Sequence, residues 1–315
     1  MRSNQKVLLT GATGFLGGAL LNDLANTVVM GRSRPNNFNG AFFNVELTAD
    51  SDYSAGLSQV DVVIHCAARV HIMNELVKCP LKAFRDVNVD ATLKLARQAA
   101  EADVRRFIYI SSVKVNGEST TGFPPFKPSD VEKPEDSYGI SKGEAEFALK
   151  ELCKNTGMEL VIIRPPLVYG CGVKANFLNL LKLSSTWFPL PFGEVNNKRS
   201  MIYLGNLVDF IICCIDHPKA ANQTFLISDG EDLSLKRLIR YIRQAMGRPI
   251  WLLPVPVGLF KLLGKLTGKS AVIDRLIGDL QVDSRKAREL LDWTPPYNVK
   301  QGIADTVADF NDRKN

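Results

Sequence analysis

The chain has 315 residues, 45% of them apolar and 23% charged, with 23 Gly and 16 Pro at no fixed period. That composition excludes disorder, collagen-like repeats and coiled coil, and it suffices for one large core or two modest ones. The net charge is +6 with no run of five or six basic residues, so no nucleic-acid footprint is expected and an anionic small substrate accounts for the balance.

Met1 to Lys6 leads straight into the apolar run Val7 to Leu9 without a long hydrophobic core or cleavage site, so no signal peptide is expected. Nor is a transmembrane segment: even Leu204 to Ile215 is interrupted by Gly205, Asn206 and Asp209, well short of roughly 20 apolar residues. The expected compartment is the cytoplasm. Six cysteines lack paired C-x-x-C spacing and only His65, His71 and His217 could join them as ligands, which predicts reduced thiols and no metal.

In chain order, periodicity predicts a strand over Lys6 to Thr10, a helix over Phe15 to Ala25, and strands over Thr27 to Met30, Ala41 to Val45 and Asp61 to His65. A helix over Leu81 to Ala102, a strand over Arg106 to Ser111, a helix over Tyr138 to Asn155 and a strand over Leu160 to Ile163 follow, the last stopped by Arg164-Pro165-Pro166. Strands alternating with helices predict an α/β fold, a Rossmann-type doubly wound parallel sheet covered on both faces. Between Asn116 and Ser137 the chain is rich in Pro, Gly, Ser and Thr without a period, as in a lid or binding loop. Beyond Tyr169 short helical patterns (176–183, 206–215, 234–245, 284–291, 300–310) alternate with proline-bearing loops. The expected division is a dinucleotide-binding domain over 1–168 and a smaller mixed α/β substrate lobe over 169–315, with part of 200–230 returning to the sheet.

Thr10-Gly11-Ala-Thr-Gly14-Phe-Leu-Gly17 lies between the first strand and first helix. Glycines there permit a tight turn, let backbone approach a pyrophosphate and let helix pack on sheet, while the helix N-terminus offers N–H donors. In NAD-binding sheets a carboxylate closing the second strand holds the ribose 2′-hydroxyl; here the strand ends Gly31-Arg32-Ser33-Arg34. Arg32 can pair with a 2′-phosphate, which favours NADP(H) with NAD(H) as the alternative, unless both arginines merely cap a solvated strand end.

Tyr138 and Lys142 stand one helical turn apart on one face. A phenol with an ordinary pKa near 10 is a poor acid–base at neutral pH, and an ammonium one turn away is expected to stabilise its phenolate. Ser111 and Ser112 close a strand, which puts their hydroxyls at the carboxyl edge of the sheet where open α/β folds bind ligands.

With these residues in view, the chain resembles the extended short-chain dehydrogenase/reductases, the NAD-dependent epimerase/dehydratases, nearly end to end. The likeness is carried by the glycine loop, Val63-Ile-His-Cys-Ala-Ala68, Asn88-Val-Asp-Ala-Thr92, Phe107-Ile-Tyr-Ile-Ser-Ser112, Tyr138-x-x-x-Lys142 and Arg164-Pro-Pro-Leu-Val-Tyr-Gly170. It implies Tyr138 as general acid–base, Lys142 as its partner and ribose ligand, and Ser112 on the substrate hydroxyl or carbonyl. It also implies a cofactor lined by Gly11, Gly14, Phe15, Leu16, Gly17, Arg32, Glu46, Leu47, Ala67, Ala68 and Asn88, with Glu46 where relatives carry an aspartate near adenine. Val113-Lys114 replaces the Asp-Glu of 4,6-dehydratases, so dehydration is not expected; Lys114 and Asn116 also depart from the simple galactose epimerases.

In sugar-nucleotide relatives an Asn binds the diphosphate, an apolar-Phe-Gly segment packs on the base and arginines clamp phosphates; Asn176, Phe192-Gly193, Arg199 and Arg275 stand in similar places. The resemblance therefore implies a UDP-sugar ligand, and family members often form homodimers through helices beside the catalytic one. The leading expectation is NADPH-dependent reduction of a UDP-4-keto-6-deoxy-N-acetylhexosamine at C4 for surface polysaccharide. The alternatives are a UDP-hexose or UDP-N-acetylhexosamine 4-epimerase holding NAD, a reductase of non-sugar ketones, and a non-catalytic NADP-binding protein. Within Pro249 to Lys269, Val257-Gly-Leu-Phe-Lys-Leu-Leu-Gly-Lys-Leu is amphipathic with lysines; it reads first as packing inside the lobe and second as touching a membrane surface.

Overall fold

The computed structural model describes residues 5–70, 79–268 and 270–313. The first four residues of the N-terminal reading, His71 as a candidate ligand and Lys269 at the end of the amphipathic run lie outside them. No described helix is long and apolar enough to cross a membrane.

Seven parallel strands form the large sheet in the order β3-β2-β1-β4-β5-β6-β9. They are β1 (Val7–Thr10), β2 (Thr27–Gly31), β3 (Phe42–Asn44), β4 (Val62–His65), β5 (Arg106–Ile110), β6 (Glu159–Arg164) and β9 (Gln223–Leu226), with β7 (Leu167–Tyr169) and β8 (Met201–Tyr203) paired in a small second sheet. The strands are short and apolar on both faces because each face is covered. In β1, Val7 and Leu9 face one core with Ile64, Ile108 and Ile163, while Leu8 faces the other with Val63, Phe107 and Ile162. Strand order reverses between β1 and β4, so the loops leaving those two strands border the crevice where such sheets take ligands.

Helices α1 (Phe15–Asp23), α2 (Ser54–Leu57), α3 (Pro80–Arg85), α4 (Thr92–Glu101) and α5 (Ser137–Thr156) accompany the first strands. The single helix expected over Leu81 to Ala102 is interrupted by a π-helical segment, Asp86–Ala91. The wider turn carries Asn88 inward, where it is buried, and π segments of this kind recur at functional sites. Periodicity missed α2, β7 and β8, too short for a period to show, and the eight-residue helix Ser270–Ile277; β9 lies in the 200–230 stretch expected to return to the sheet.

The remaining helices are α6 (Ala175–Ser184), α7 (Leu204–Asp216), α8 (Leu235–Ala245), α9 (Val257–Leu266), α10 (Ser270–Ile277), α11 (Arg285–Leu291) and α12 (Val299–Asp312). α7 packs its apolar side under the large sheet. α6, α8 and α12 close on Tyr169, Tyr203 and Leu233 to form a further core. A smaller cluster joins Leu190, Phe192 and Val195 to α8, α9 and α10.

Candidate active site

The glycine loop is shaped by contacts that tolerate no side chain. A Cβ on Gly11 would lie 2.7 Å from the Ala67 nitrogen, and one on Gly17 would lie 2.2 Å from the Gly11 carbonyl oxygen. Gly11 also has φ +73°, the left-handed region that glycine adopts freely. The loops after β1 and β4 are thus held backbone to backbone at the strand reversal, with the N-terminus of α1 beside them. Phe15 and Leu16 are partly buried and pack against the core under the sheet.

Behind it, His65 is buried between two hydroxyls, Nδ1 2.8 Å from Thr10 Oγ1 and Nε2 2.9 Å from Thr92 Oγ1. Burial, and secondarily the charge of Lys142, pushes its pKa down to about 3, so it is a neutral brace between β1, β4 and α4 at pH 7. Asn88, expected to bind cofactor, has its amide used otherwise. Its Oδ1 accepts from the Arg69 N–H at 2.8 Å, and its Nδ2 donates to the Arg69 carbonyl at 3.1 Å and to Ser141 Oγ at 3.0 Å. It positions the loop after β4 against α5.

The catalytic candidates meet at the carboxyl edge of β5. Asp136 caps α5, its Oδ1 accepting from the Gly139 N–H at 2.7 Å, which sets Tyr138 and Lys142 on the first two turns. Lys142 is buried, donates to the Ile110 carbonyl at 2.8 Å and holds its Nζ 4.5 Å above the Tyr109 ring and 5.9 Å from the Tyr138 ring centroid. Burial lowers its pKa to about 8. The expected lowering of the Tyr138 pKa is not found: burial, with the Asp136 carboxylate adding, raises it to about 12, so the phenol is protonated at neutral pH.

Ser111 and Ser112 part company. Ser111 is buried and donates to Glu146 Oε1, whereas Ser112 is half-buried and accepts the Lys114 N–H at 3.3 Å, leaving its O–H free to donate. Glu146, one turn beyond Lys142, receives Arg164 Nε at 2.9 Å and Nη2 at 2.6 Å, and Arg164 also reaches Asn116 Oδ1 at 3.0 Å. This buried pair ties β6 to α5. Glu146, Asp136 and Tyr109 were missed in the sequence; for Asp136, an Asp three residues before a helical glycine was the available signal.

The expected substrate ligands are more dispersed. Asn176 is exposed in the first turn of α6. Phe192 is buried and stacks on Phe260 at 5.7 Å, so one ring face is already covered. Arg199 donates to the Arg275 and Gly278 carbonyls at 2.8 and 3.2 Å, terminating α10, and Arg275 Nε pairs with Glu118 at 3.0 Å. The two arginines are neighbours, and their guanidiniums contact a helix end and a carboxylate. Lys114 is not a free solvated chain: it pairs with Glu118 at 2.9 Å and with Asp136. Arg32, Ser33 and Glu46 are exposed past β2 and β3, and Leu47 is half-buried beside them.

Residues 7–228 match the family model described as the NAD dependent epimerase/dehydratase family. The chain belongs to this family. Among the relatives of this epimerase/dehydratase chain is a UDP-glucose 4-epimerase of Vibrio cholerae, 48% identical over 313 residues covering 97% of this chain and 95% of that one. Another is the N-acetyl-alpha-D-glucosaminyl-diphospho-ditrans,octacis-undecaprenol 4-epimerase of Escherichia coli O157:H7, 29% identical over 96% of this chain and 95% of that protein. The fold is shared with the UDP-glucuronic acid 4-epimerase of Bacillus cereus, solved in complex with NAD, at TM-score 0.77 and 20% identity over 98% of this chain and all of that one.

Proposed function

We propose that this enzyme is a UDP-hexose or UDP-N-acetylhexosamine 4-epimerase that works with NAD retained in the site. The observation that carries the reading is the 48% identity to a UDP-glucose 4-epimerase along nearly the whole of both chains. It reverses the order of the two sugar-nucleotide expectations. Reduction by NADPH rested on Arg32, and Arg32 is an exposed side chain beyond β2, while an epimerase regenerates its own cofactor and needs no exchange. A purely binding role would leave the aligned Ser112, Tyr138 and Lys142 without a use.

The cradle formed by Gly11, Gly14, Gly17 and Ala67 fits a dinucleotide, since backbone approaches too closely for a Cβ at Gly11 and Gly17 and helix α1 begins beside it. When bound, NAD supplies a hydride acceptor, and then a donor, for C4. Tyr138 Oη takes the proton of the O4 hydroxyl as the C4 hydrogen departs, and returns it when hydrogen is delivered to the opposite face of the 4-keto sugar. Ser112 Oγ donates to the same oxygen. The high Tyr138 pKa suits the return step; the outward step needs the phenolate, and the Lys142 ammonium is the cation in reach of the ring. The reading takes the enzyme as cytoplasmic and homodimeric, with the exposed Phe147 of α5 available to a helix pairing beside the catalytic one.

The test is to denature freshly purified protein, identify the released nucleotide, and follow UDP-glucose and UDP-N-acetylglucosamine by NMR for conversion to their C4 epimers. Stoichiometric NAD with interconversion is expected. Protein without nucleotide that prefers NADPH and reduces a 4-keto sugar would overturn the reading.

A further inference from the structure

Helix α9 presents two apolar faces. Val257 and Phe260 pack on the cluster beneath it and Gly264 on Ile273 of α10, which accounts for one side. On the opposite side Leu259, Leu262, Leu263 and Leu266 follow the i, i+3, i+4, i+7 spacing and are 45%, 53%, 48% and 75% exposed. Lys261 and Lys265 are exposed along one flank of that stripe. Scattered single leucines on a surface need no explanation, but four in one row, opposite a face already packed, do.

The surroundings repeat the pattern. Trp187, Phe188 and Trp251 are exposed on two loops tied together by the Leu190 N–H on the Trp251 carbonyl at 2.9 Å. Buried Arg243 holds both loops from below, donating to the carbonyls of Thr186, Phe188, Pro249 and Trp251. The Phe192–Phe260 stack then joins these loops to α9. Exposed aromatics on braced backbone are presented by the fold. From Leu233 to Ile273 the chain has eight Lys and Arg and no Asp or Glu; of these Arg243 is buried on carbonyls and Arg237 pairs with Glu231.

We propose that the leucine face of α9, with its flanking lysines, seats the protein on an anionic phospholipid bilayer, as an interfacial helix lying in the plane of the headgroups. Leucines enter the acyl boundary, ammonium groups meet lipid phosphates, and tryptophans suit the interface. The flanking lysines decide among occupants, because a second copy would bring Lys261 and Lys265 up against like charges. The proposal is independent of the 4-epimerase reading.

The experiment is co-sedimentation of the full-length protein with vesicles of phosphatidylethanolamine and phosphatidylglycerol, and with vesicles of phosphatidylcholine alone, alongside sedimentation velocity without lipid. The substitutions are the pairs Leu262→Glu with Leu266→Glu and Lys261→Glu with Lys265→Glu; all four sites are exposed, and circular dichroism and Tm verify folding. Partitioning onto the anionic vesicles that falls roughly tenfold or more on phosphatidylcholine and in each folded variant supports the proposal. Wild-type protein that stays in the supernatant with anionic vesicles overturns it, as does binding that the leucine variants retain. Self-association without vesicle binding, abolished by Leu262→Glu with Leu266→Glu, assigns the face to a second copy and overturns it too.

Discussion

The carboxyl edge of the large sheet and the lobe around α9 and α10 handle charge in opposite ways. At the sheet edge Lys142, Arg164 and Glu146 are buried, and each is hydrogen-bonded to a group fixed by another strand or helix. In the lobe Arg275 is more than half exposed in its pair with Glu118, and Lys261 and Lys265 face outward. Buried charges hold geometry because losing a partner is costly, whereas exposed charges exchange partners at little cost.

The largest effect is expected at the reacting atom. Tyr138→Phe removes one oxygen and leaves the ring facing Phe84, so kcat should fall by roughly 10²–10⁴, the usual worth of a general acid–base. NAD affinity measured by fluorescence titration should change little. A variant that still turns over would remove Tyr138 from the mechanism and with it the reason for this site's order.

Next comes the buried pair. Glu146→Ala leaves the Arg164 guanidinium without its bidentate partner and Ser111 without its acceptor. A loss of about 3–5 kcal/mol in urea denaturation is expected. A loss under about 1 kcal/mol would mean that Glu132, which also reaches Arg164, carries the site as an exposed pair would, and the contrast between the two regions would fail.

Most of the sheet was legible because its strands are apolar on both faces and its glycines and the Tyr138–Lys142 spacing encode local geometry. Ser112 lies two residues beyond β5, so its place near the sheet edge was legible from that strand. What was not legible lies in side chains that meet across the chain: Asn88 on Arg69, Glu146 on Arg164, Arg199 on the end of α10, each separated by roughly 20 to 80 residues. An arginine near a presumed phosphate site reads the same in sequence whether it faces a ligand or a helix terminus; only the fold decides. The Tyr138 pKa was misjudged for a related reason, since one-turn spacing to Lys142 was visible but burial of the phenol was not.

A pH-dependent effect of intermediate size belongs to His65. Its folded pKa of about 3 lies below the unfolded value near 6.5, so the unfolded chain binds more protons between those limits. Its contribution is complete above pH 6.5 and is lost progressively as pH falls toward 3, at up to about 1.4 kcal/mol per pH unit. Urea titrations at pH 7, 5.5 and 4.5 should therefore show a slope shallower by about one proton in His65→Asn than in wild type. Equal slopes would mean that the imidazole is protonated in the fold and that the brace between Thr10 and Thr92 is not what buries it.

The smallest effect is expected at Arg275, and there the comparison can be sharpened most. Arg275→Ala removes an exposed pair with Glu118, worth at most about 1 kcal/mol, and leaves Lys114 to satisfy the carboxylate at 2.9 Å. Arg199→Ala instead leaves the carbonyls of Arg275 and Gly278 without their donor, a loss of about 1–3 kcal/mol with a loosened α10. Side-by-side Tm and KM measurements separate two roles for these neighbours. If Arg275→Ala keeps its Tm and raises KM for the UDP-sugar less than about threefold, Arg275 is an ordinary surface cation. If KM rises tenfold at unchanged Tm, Glu118 surrenders the guanidinium to phosphate on binding, as exposed, exchangeable charges allow and buried ones do not.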